Sequence, residues 1–299
     1  MRVLLTGATG FVGRPVLQAL LSAGHDVIAV SRRAQPATAG IDWCVGDLLQ
    51  QGEAKRIGRV ARADIVLHLA WVAEHGRYWD DPSNATWADA TLDIAVAAAE
   101  SGASRLCGVG TCFEYDWPND ADCDEASTPT VHHTPYDAAK DSCRKRLEEF
   151  TRQAKLSFSW ARMFHLYGPH EHPERLVSSI ARSLVSGKAA RCTSGTAVRD
   201  YIDVRDAGTA LAALAASNVE GPVNIATGRG VRVADVAMML GRLAGEPDLI
   251  QLGALPDRAT DPPRITANVE RLSREVGFAP TRSLESGLKD ALEFWRRSR

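Results

Sequence analysis

Two side chains in this sequence have the types and the spacing for proton transfer: Tyr136 and Lys140, in the run Tyr-Asp-Ala-Ala-Lys. Four residues apart on a helix they share one face, which sets an ammonium one turn from a phenol. A free phenol has a pKa near 10 and exchanges protons poorly at neutral pH, whereas a nearby positive charge stabilises its phenolate. The pair therefore reads as general acid–base equipment and not as a nucleophile. In a chain where arginine greatly outnumbers lysine, a lysine here also fits the need for a compact charge beside a phenol.

A proton donor of this kind acts together with a second group, and the N terminus offers a place to hold one. Thr6-Gly7-Ala8-Thr9-Gly10-Phe11-Val12-Gly13 follows a short apolar run of strand length and opens into Arg14-Pro15-Val16-Leu17, whose apolar residues continue at helical spacing. Glycines at 7, 10 and 13 let the backbone turn tightly, approach a pyrophosphate closely and press the helix onto the sheet. The anion would rest on free N–H groups at the helix start, so Gly7, Thr9, Gly10, Phe11, Val12 and Gly13 are cofactor-binding candidates. The next strand, residues 26–31, ends in Ser31-Arg32-Arg33. In a dinucleotide fold this point meets the adenosine ribose, where an acid binds the 2′-hydroxyl and an arginine accommodates a 2′-phosphate. With no acid and two guanidiniums, NADP(H) is favoured and NAD(H) is possible; the other reading is that both arginines solvate a turn.

The G-x-x-G-x-x-G spacing behind Thr6 resembles the extended short-chain dehydrogenase/reductase family, the nucleotide-sugar epimerases, dehydratases and reductases. That resemblance implies an α/β fold: a Rossmann-type doubly wound parallel sheet with a smaller C-terminal α/β substrate domain. The expected division is a dinucleotide-binding domain over 1–168, with segments near 199–227 returning to it, and a mainly substrate-binding domain over 169–299. Further motifs carry the resemblance along the chain. Gly46-Asp47-Leu48 looks like the turn that frames the adenine, and His68-Leu69-Ala70-Trp71 is similar to a turn beside the cofactor. Leu69, Ala70 and Trp71 are thus implied neighbours of the cofactor, with Trp71 replacing a small residue and narrowing that side. Thr111 stands where the family places its catalytic Ser or Thr, followed by Cys112 and Phe113 on the substrate side. Residues 162–169 look like R-x-x-N-V-Y-G-P with His165 in place of asparagine, which changes how the substrate's phosphate side is held. Arg199, in Arg-Asp-Tyr-Ile-Asp-Val, is implied as a diphosphate ligand, its alternative being a buried ion pair with Asp200. Arg258 is a weaker candidate for a second phosphate contact.

The elements that must position these groups follow from pattern. Strands are expected at 41–45, 63–70, 105–110 and 157–163, with Thr111 at a carboxyl strand end, where open α/β sheets place ligands. Tyr136 and Lys140 open a helix running to about residue 152. A long helix over 84–102 has Trp87, Ala90, Thr91, Ile94, Ala95 and Ala98 on one face; such a small-residue face suits close packing and is a candidate homodimer contact. Trp79, Arg77 and Tyr78, in the loop after Trp71, lie where they could touch a sugar or cap a core.

Composition narrows the classes. The 299 residues carry a formal charge of −2 and no basic block, which argues against nucleic acid and anionic membrane surfaces as partners. No apolar run approaches the roughly 18 residues of a membrane span, and the N terminus enters the glycine motif directly, so a cytoplasmic location is expected. Cys44, Cys107, Cys112, Cys123, Cys143 and Cys192 form no C-x-x-C pair and read as reduced thiols. His170, Glu171 and His172 lie between prolines in a loop without a further ligand cluster, and no metal is expected.

Neighbours of the triad separate three reactions. The family's dehydratases carry an Asp-Glu pair after the hydroxyl residue, where this chain has Cys112 and Phe113, so dehydration is disfavoured. Ser31-Arg32-Arg33 and the Glu114-Tyr115 variant of the turn favour NADPH-dependent reduction of a keto group, foremost a 4-keto group, on a nucleotide-activated sugar. A nucleotide-sugar 4-epimerase with tightly bound NAD is the alternative, and a non-catalytic NADP-binding sensor or scaffold a more distant one.

Overall fold

The computed structural model describes residues 1–298. Thirteen strands and eight α-helices alternate along the described residues. In chain order they are β1 (Arg2–Thr6), α1 (Gly13–Ser22), β2 (Asp26–Ser31), β3 (Ile41–Val45), α2 (Glu53–Ala61), β4 (Ile65–His68), α3 (Ser83–Glu100), β5 (Arg105–Thr111), α4 (Pro135–Ala154), β6 (Ser157–Met163) and β7 (His165–Tyr167). There follow α5 (Leu176–Val185), β8 (Ala190–Arg191), β9 (Val198–Asp203), α6 (Val204–Ala216), β10 (Gly221–Ile225), β11 (Gly230–Arg232), α7 (Val233–Ala244), β12 (Ile250–Gln251), β13 (Arg264–Ile265) and α8 (Leu284–Arg297).

Seven strands form one parallel sheet in the order β3-β2-β1-β4-β5-β6-β10. The order reverses direction at β1, which opens a crevice at the carboxyl ends of β1 and β4. Because both faces are covered, the central strands read as continuous apolar runs such as Val3-Leu4-Leu5. On one face Val16 and Leu20 of α1 pack with Ala207, Leu211 and Leu214 of α6. On the other, α2, α3 and α4 bury Ile57, Ile94 and Leu147.

The segment after residue 198 therefore divides between two sheets. Helix α6 and strand β10 belong to the large one, whereas β9 pairs with β7, β11 and β13 in a second. Gly208 lets α6 touch α1, since a Cβ there would lie 2.6 Å from the Pro15 Cβ. Arg105 locks the arrangement from β5: its guanidinium donates to the carbonyls of Leu214, Ala215 and Val219 at 2.7–2.9 Å. A cation there meets the partial negative charge of the carbonyls at a helix C terminus.

The small face of α3 is used within the chain. A Cβ on Gly58 of α2 would come within 2.8 Å of the Ala97 Cβ and the Ile94 carbonyl, and Ala95, Ala97 and Ala98 are all buried. That stripe serves close helix packing, so it no longer singles out a homodimer contact. No helix among the described residues is long and apolar enough to cross a membrane.

Candidate functional site

The glycine turn joins β1 to α1 with its backbone donors open. Gly7 has φ 70° and would place a Cβ 3.0 Å from the Ala70 nitrogen, and a Cβ on Gly13 would lie 2.8 Å from the Ala8 Cα. Neither position tolerates a side chain. Gly10 N–H closes the turn onto the Gly7 carbonyl at 3.0 Å, and among the described residues no acceptor takes the N–H groups of Phe11, Val12 or Gly13. An open row of donors at a helix start is what a pyrophosphate requires.

A polar thread fixes the neighbouring turn. Thr91 donates its hydroxyl proton to the Trp87 carbonyl at 2.7 Å, so it receives a proton from His68 Nε2 at 3.0 Å. His68 Nδ1 is then an acceptor for the Thr6 hydroxyl at 3.0 Å, and Thr6 Oγ1 accepts from the N–H groups of Leu69 and Ala70 at 3.1 Å each. Burial, with the charge of Lys140 adding to it, holds His68 neutral, down to about 3. The thread clamps β1 to β4 and aims Leu69, Ala70 and Trp71 past the glycine turn.

At the end of β2 the Ser31 hydroxyl accepts from Arg33 N–H and Gln35 Nε2, both at 3.3 Å. Arg32 and Arg33 are exposed, and neither has an ion-pair partner among the described residues. Asp47 accepts from Leu49 N–H at 3.1 Å while Leu48 packs into the core beneath.

Tyr136, Lys140, Thr111, Phe113 and Trp71 all line one pocket of about 180 Å³, together with Val12 and Leu69 from the cradle side. Helix α4 begins there because Thr134 and Asp137 cap each other reciprocally and Pro135 occupies the first turn. Tyr136 N–H donates to the Trp79 carbonyl at 3.0 Å, which ties the 71–82 loop to the helix start. The Tyr78 and Trp79 rings stand edge-on to the Tyr136 ring at 4.9 and 5.8 Å. Arg77 instead points to solvent, paired with Glu74 at 3.0 Å.

Tyr136 and Lys140 line one pocket, but Lys140 has partners of its own. Lys140 Nζ donates to the Val109 carbonyl at 2.8 Å and sits 3.7 Å from the centroid of the Trp71 ring, but 6.0 Å from that of Tyr136. Among the described residues no hydrogen bond joins the ammonium to the phenol. Burial pushes the Tyr136 phenol up from its usual value, Tyr78 and Glu114 adding and Arg175 opposing. Burial brings Lys140 down to about 8.

Thr111 is the last residue of β5. Its hydroxyl accepts from Phe113 N–H at 3.3 Å, and among the described residues no acceptor takes its proton. Glu114 turns inward and is fully buried: it accepts from Thr111 N–H at 2.9 Å, Arg162 Nε at 3.0 Å and Trp160 Nε1 at 3.1 Å. Cys112 lines the pocket of Thr111 and Tyr136 as well, with almost none of its side chain open to it. Its side chain is 1% exposed and packs with Cys123, Phe164 and Ile265, where burial raises the thiol well above its ordinary value. The adjacent Phe113 lines the pocket too, edge-on to Trp79 at 4.8 Å.

A second, larger cleft of about 710 Å³ adjoins the first and carries Arg199, Arg258, Arg191 and Tyr201. Arg199 is buried and donates to Asp261 at 2.7 Å and to the Val198 carbonyl at 2.8 Å. The weighed pairing with Asp200 does not occur. Asp200 instead accepts from Thr227 N–H, Thr227 Oγ1 and Gly228 N–H at 2.6–2.9 Å and holds the β10–β11 turn. Asp261 thus joins the cleft without any signal in the sequence beyond its place three residues after Arg258.

His165 lines both cavities and forms the wall between them. Its buried Nδ1 has no partner, and burial together with the charges of Arg199 and Arg175 keeps the ring neutral, down to about 3. Arg175, just before α5, also lines the smaller pocket and makes no ion pair among the described residues. No motif marks it; chain folding alone brings it opposite Tyr136. Of its neighbours, His170 packs on Phe294 at 4.5 Å, while buried Glu171 accepts from Ser178 N–H and Oγ at 3.1 and 2.8 Å. Among the described residues no three His, Cys, Asp or Glu side chains gather as metal ligands.

The strand order and the glycine cradle define a doubly wound, dinucleotide-binding oxidoreductase fold. The family described as the NAD dependent epimerase/dehydratase family is matched over residues 3–226, and the chain belongs to it, an enzyme of the extended short-chain dehydrogenase/reductase type. It is 26% identical to dTDP-6-deoxy-L-talose 4-dehydrogenase (NAD(+)) of Aggregatibacter actinomycetemcomitans, over 77% of this chain and 85% of that enzyme. It is 28% identical to UDP-glucose 4-epimerase of Corynebacterium glutamicum, over 98% and 95%. Among solved structures it is similar to MoeE5 in complex with UDP-glucuronic acid and NAD, with TM-score 0.83, 27% identity and full coverage of both chains.

Proposed function

We propose that this enzyme moves a hydride between a nicotinamide dinucleotide and C4 of a nucleotide-activated sugar, in the direction of 4-keto reduction with NADPH. The observation that carries the reading is the adjacency of three sites: open backbone donors at the glycine turn, the Thr111–Tyr136–Lys140 pocket, and the arginine cleft beyond His165. The cofactor, when bound, supplies the hydride.

The chain's own residues supply the rest. The diphosphate rests on Arg199 and Arg258, which leaves the sugar on the far side of His165, among Phe113, Thr111 and Tyr136. The Thr111 hydroxyl proton, free of any internal acceptor, holds the carbonyl oxygen and orients it toward Tyr136. Burial keeps the Tyr136 phenol protonated at neutral pH, so it stands ready to give its proton to the oxygen that becomes a hydroxyl. That bias suits reduction better than oxidation. Lys140 contributes a fixed positive charge beside the pocket.

Unpaired Arg32 and Arg33 after β2 support NADP(H), since a 2′-phosphate would give two solvated guanidiniums a partner. The relatives support a C4 reaction in two forms, one a 4-dehydrogenase and one a 4-epimerase, and the latter is the second reading. Purified enzyme given a nucleotide 4-keto-6-deoxysugar and NADPH is expected to consume the two in equal amounts. Interconversion of C4 epimers with no cofactor added would replace the first reading by the second.

A further inference from the structure

We propose that Trp71 is a positioning residue for Lys140, its indole face holding the ammonium against the Val109 carbonyl in place of a carboxylate partner. The inference rests on the role assigned to Lys140 above. Lys140 is 5% exposed and pairs with no acid among the described residues, a costly position for a cation unless something else stabilises it. The centroid of the Trp71 ring lies 3.7 Å from Nζ, and a desolvated ammonium over an indole is among the stronger cation–π arrangements.

The ring is built to stay there. Trp71 Nε1 donates to Asn84 Oδ1 at 2.8 Å, buried Asn84 donates in turn to the Tyr78 carbonyl at 2.8 Å, and Trp87 stacks behind at 6.4 Å. Trp71 therefore sits on a side chain of α3 and not on a flexible loop. The chemical logic lies in the charge balance. A carboxylate beside Lys140 would cancel its field at the pocket, whereas an aromatic quadrupole stabilises the ammonium and leaves its full charge available.

The groups facing Lys140 are few. Glu114, from the turn after β5, is occupied by Arg162 and Trp160; His68 of β4 is neutral; Cys143 and Tyr136 lie on the same helix; Arg175 faces Tyr136 across the pocket. Burial brings the ammonium down to about 8, against the opposing influence of Cys143 and Glu114. Without the ring the charged form loses support and its titration moves lower still.

The test uses cofactor-free protein. Lysine labelled with carbon-13 at Cε gives six signals in this chain, and Lys140→Arg identifies the one that matters. Wild type should titrate near 8, Trp71→Phe within a few tenths of it, and Trp71→Leu about one pH unit lower. A Leu variant that titrates with wild type, or a Phe variant that falls as far as Leu, overturns the proposal. Should Trp71→Leu fail to fold, Asn84→Ala, which frees the indole, is expected to lower the midpoint by a smaller amount, and no change there is equally fatal. Because neither sugar nor cofactor is present, a shifted titration in an enzyme that turns over no nucleotide sugar would reject the proposed function and leave this inference standing.

Discussion

The two cavities that share His165 handle charge in opposite ways. The smaller pocket keeps Lys140 desolvated and without an acid, over an indole, beside a phenol that burial holds protonated. The larger cleft keeps Arg199 equally buried but already neutralised by half-exposed Asp261. A charge that must act on bond making is best left uncompensated, since a fixed counter-ion would cancel its field. A charge that must hold an anion is better stored as an ion pair with a solvent-facing partner, which an incoming diphosphate can displace at modest cost. On the proposed reading, chemistry and binding fall on different sides of one imidazole.

Removing the phenol breaks the chemical side most severely. Tyr136→Phe keeps the ring and its edge-on contacts but has no proton to give, and kcat is expected to fall by roughly 10²–10⁴. Cofactor and nucleotide-sugar affinities, measured by calorimetry, should stay within about twofold. A variant that turns over like wild type would remove Tyr136 from the mechanism.

Arg199→Ala tests the binding side. A lost charge-assisted hydrogen bond is worth about 1.5–3 kcal/mol, so affinity for a nucleoside diphosphate is expected to weaken roughly 10- to 100-fold. The effect should fall on KM far more than on kcat. Equal losses in both would show that the two cavities are not separable as described.

How much of this arrangement was legible in the sequence depends on what builds each part. The cradle is backbone, and backbone geometry writes itself into glycine spacing: Gly7 and Gly13 stand where no Cβ fits. Tyr136 and Lys140 were visible because four residues on a helix fix their common face. Their mutual distance was not, because rotamers and the Trp71 ring decide where Nζ goes, and it goes to Val109. The burial of Cys112 was not legible either: it lines the pocket between Thr111 and Phe113, yet the turn after β5 packs its side chain almost wholly inward. Arg175 and Asp261 left no trace at all. They reach the site from separate segments, 35 and 121 residues beyond Lys140, through tertiary folding alone. The small face of α3 was read correctly as a packing surface, and its partner is α2 of the same chain.

The same comparison extends to the adenosine end, where Arg32 and Arg33 are charges kept neither buried nor paired. Arg32→Ala together with Arg33→Ala is expected to weaken NADP binding about tenfold while NAD binding stays unchanged, as read by competition between the two cofactors. Equal effects on both cofactors would mean that the guanidiniums act on the shared pyrophosphate, and no effect on either would return them to the solvated turn.

The smallest expected effect concerns the segment behind the smaller pocket. Buried Glu171 anchors the segment that carries Arg175, and burial raises its carboxyl to about 7 despite the two hydrogen bonds from Ser178. A folded-state value above the unfolded one means that the native state binds the extra proton. Its contribution to stability is therefore complete below about 4.5 and is lost as pH rises toward about 7. Glu171→Gln keeps the shape and acceptor for Ser178 without a charge to bury, so its melting temperature should rise relative to wild type as pH climbs through that window, by about 2–4 °C for each kcal/mol recovered. Below about 4.5 the two proteins should melt together. A gap that stays constant across the whole range would show that Glu171 remains ionised in the folded protein, with Arg175, whose charge already favours that form, as the counter-ion that keeps it so.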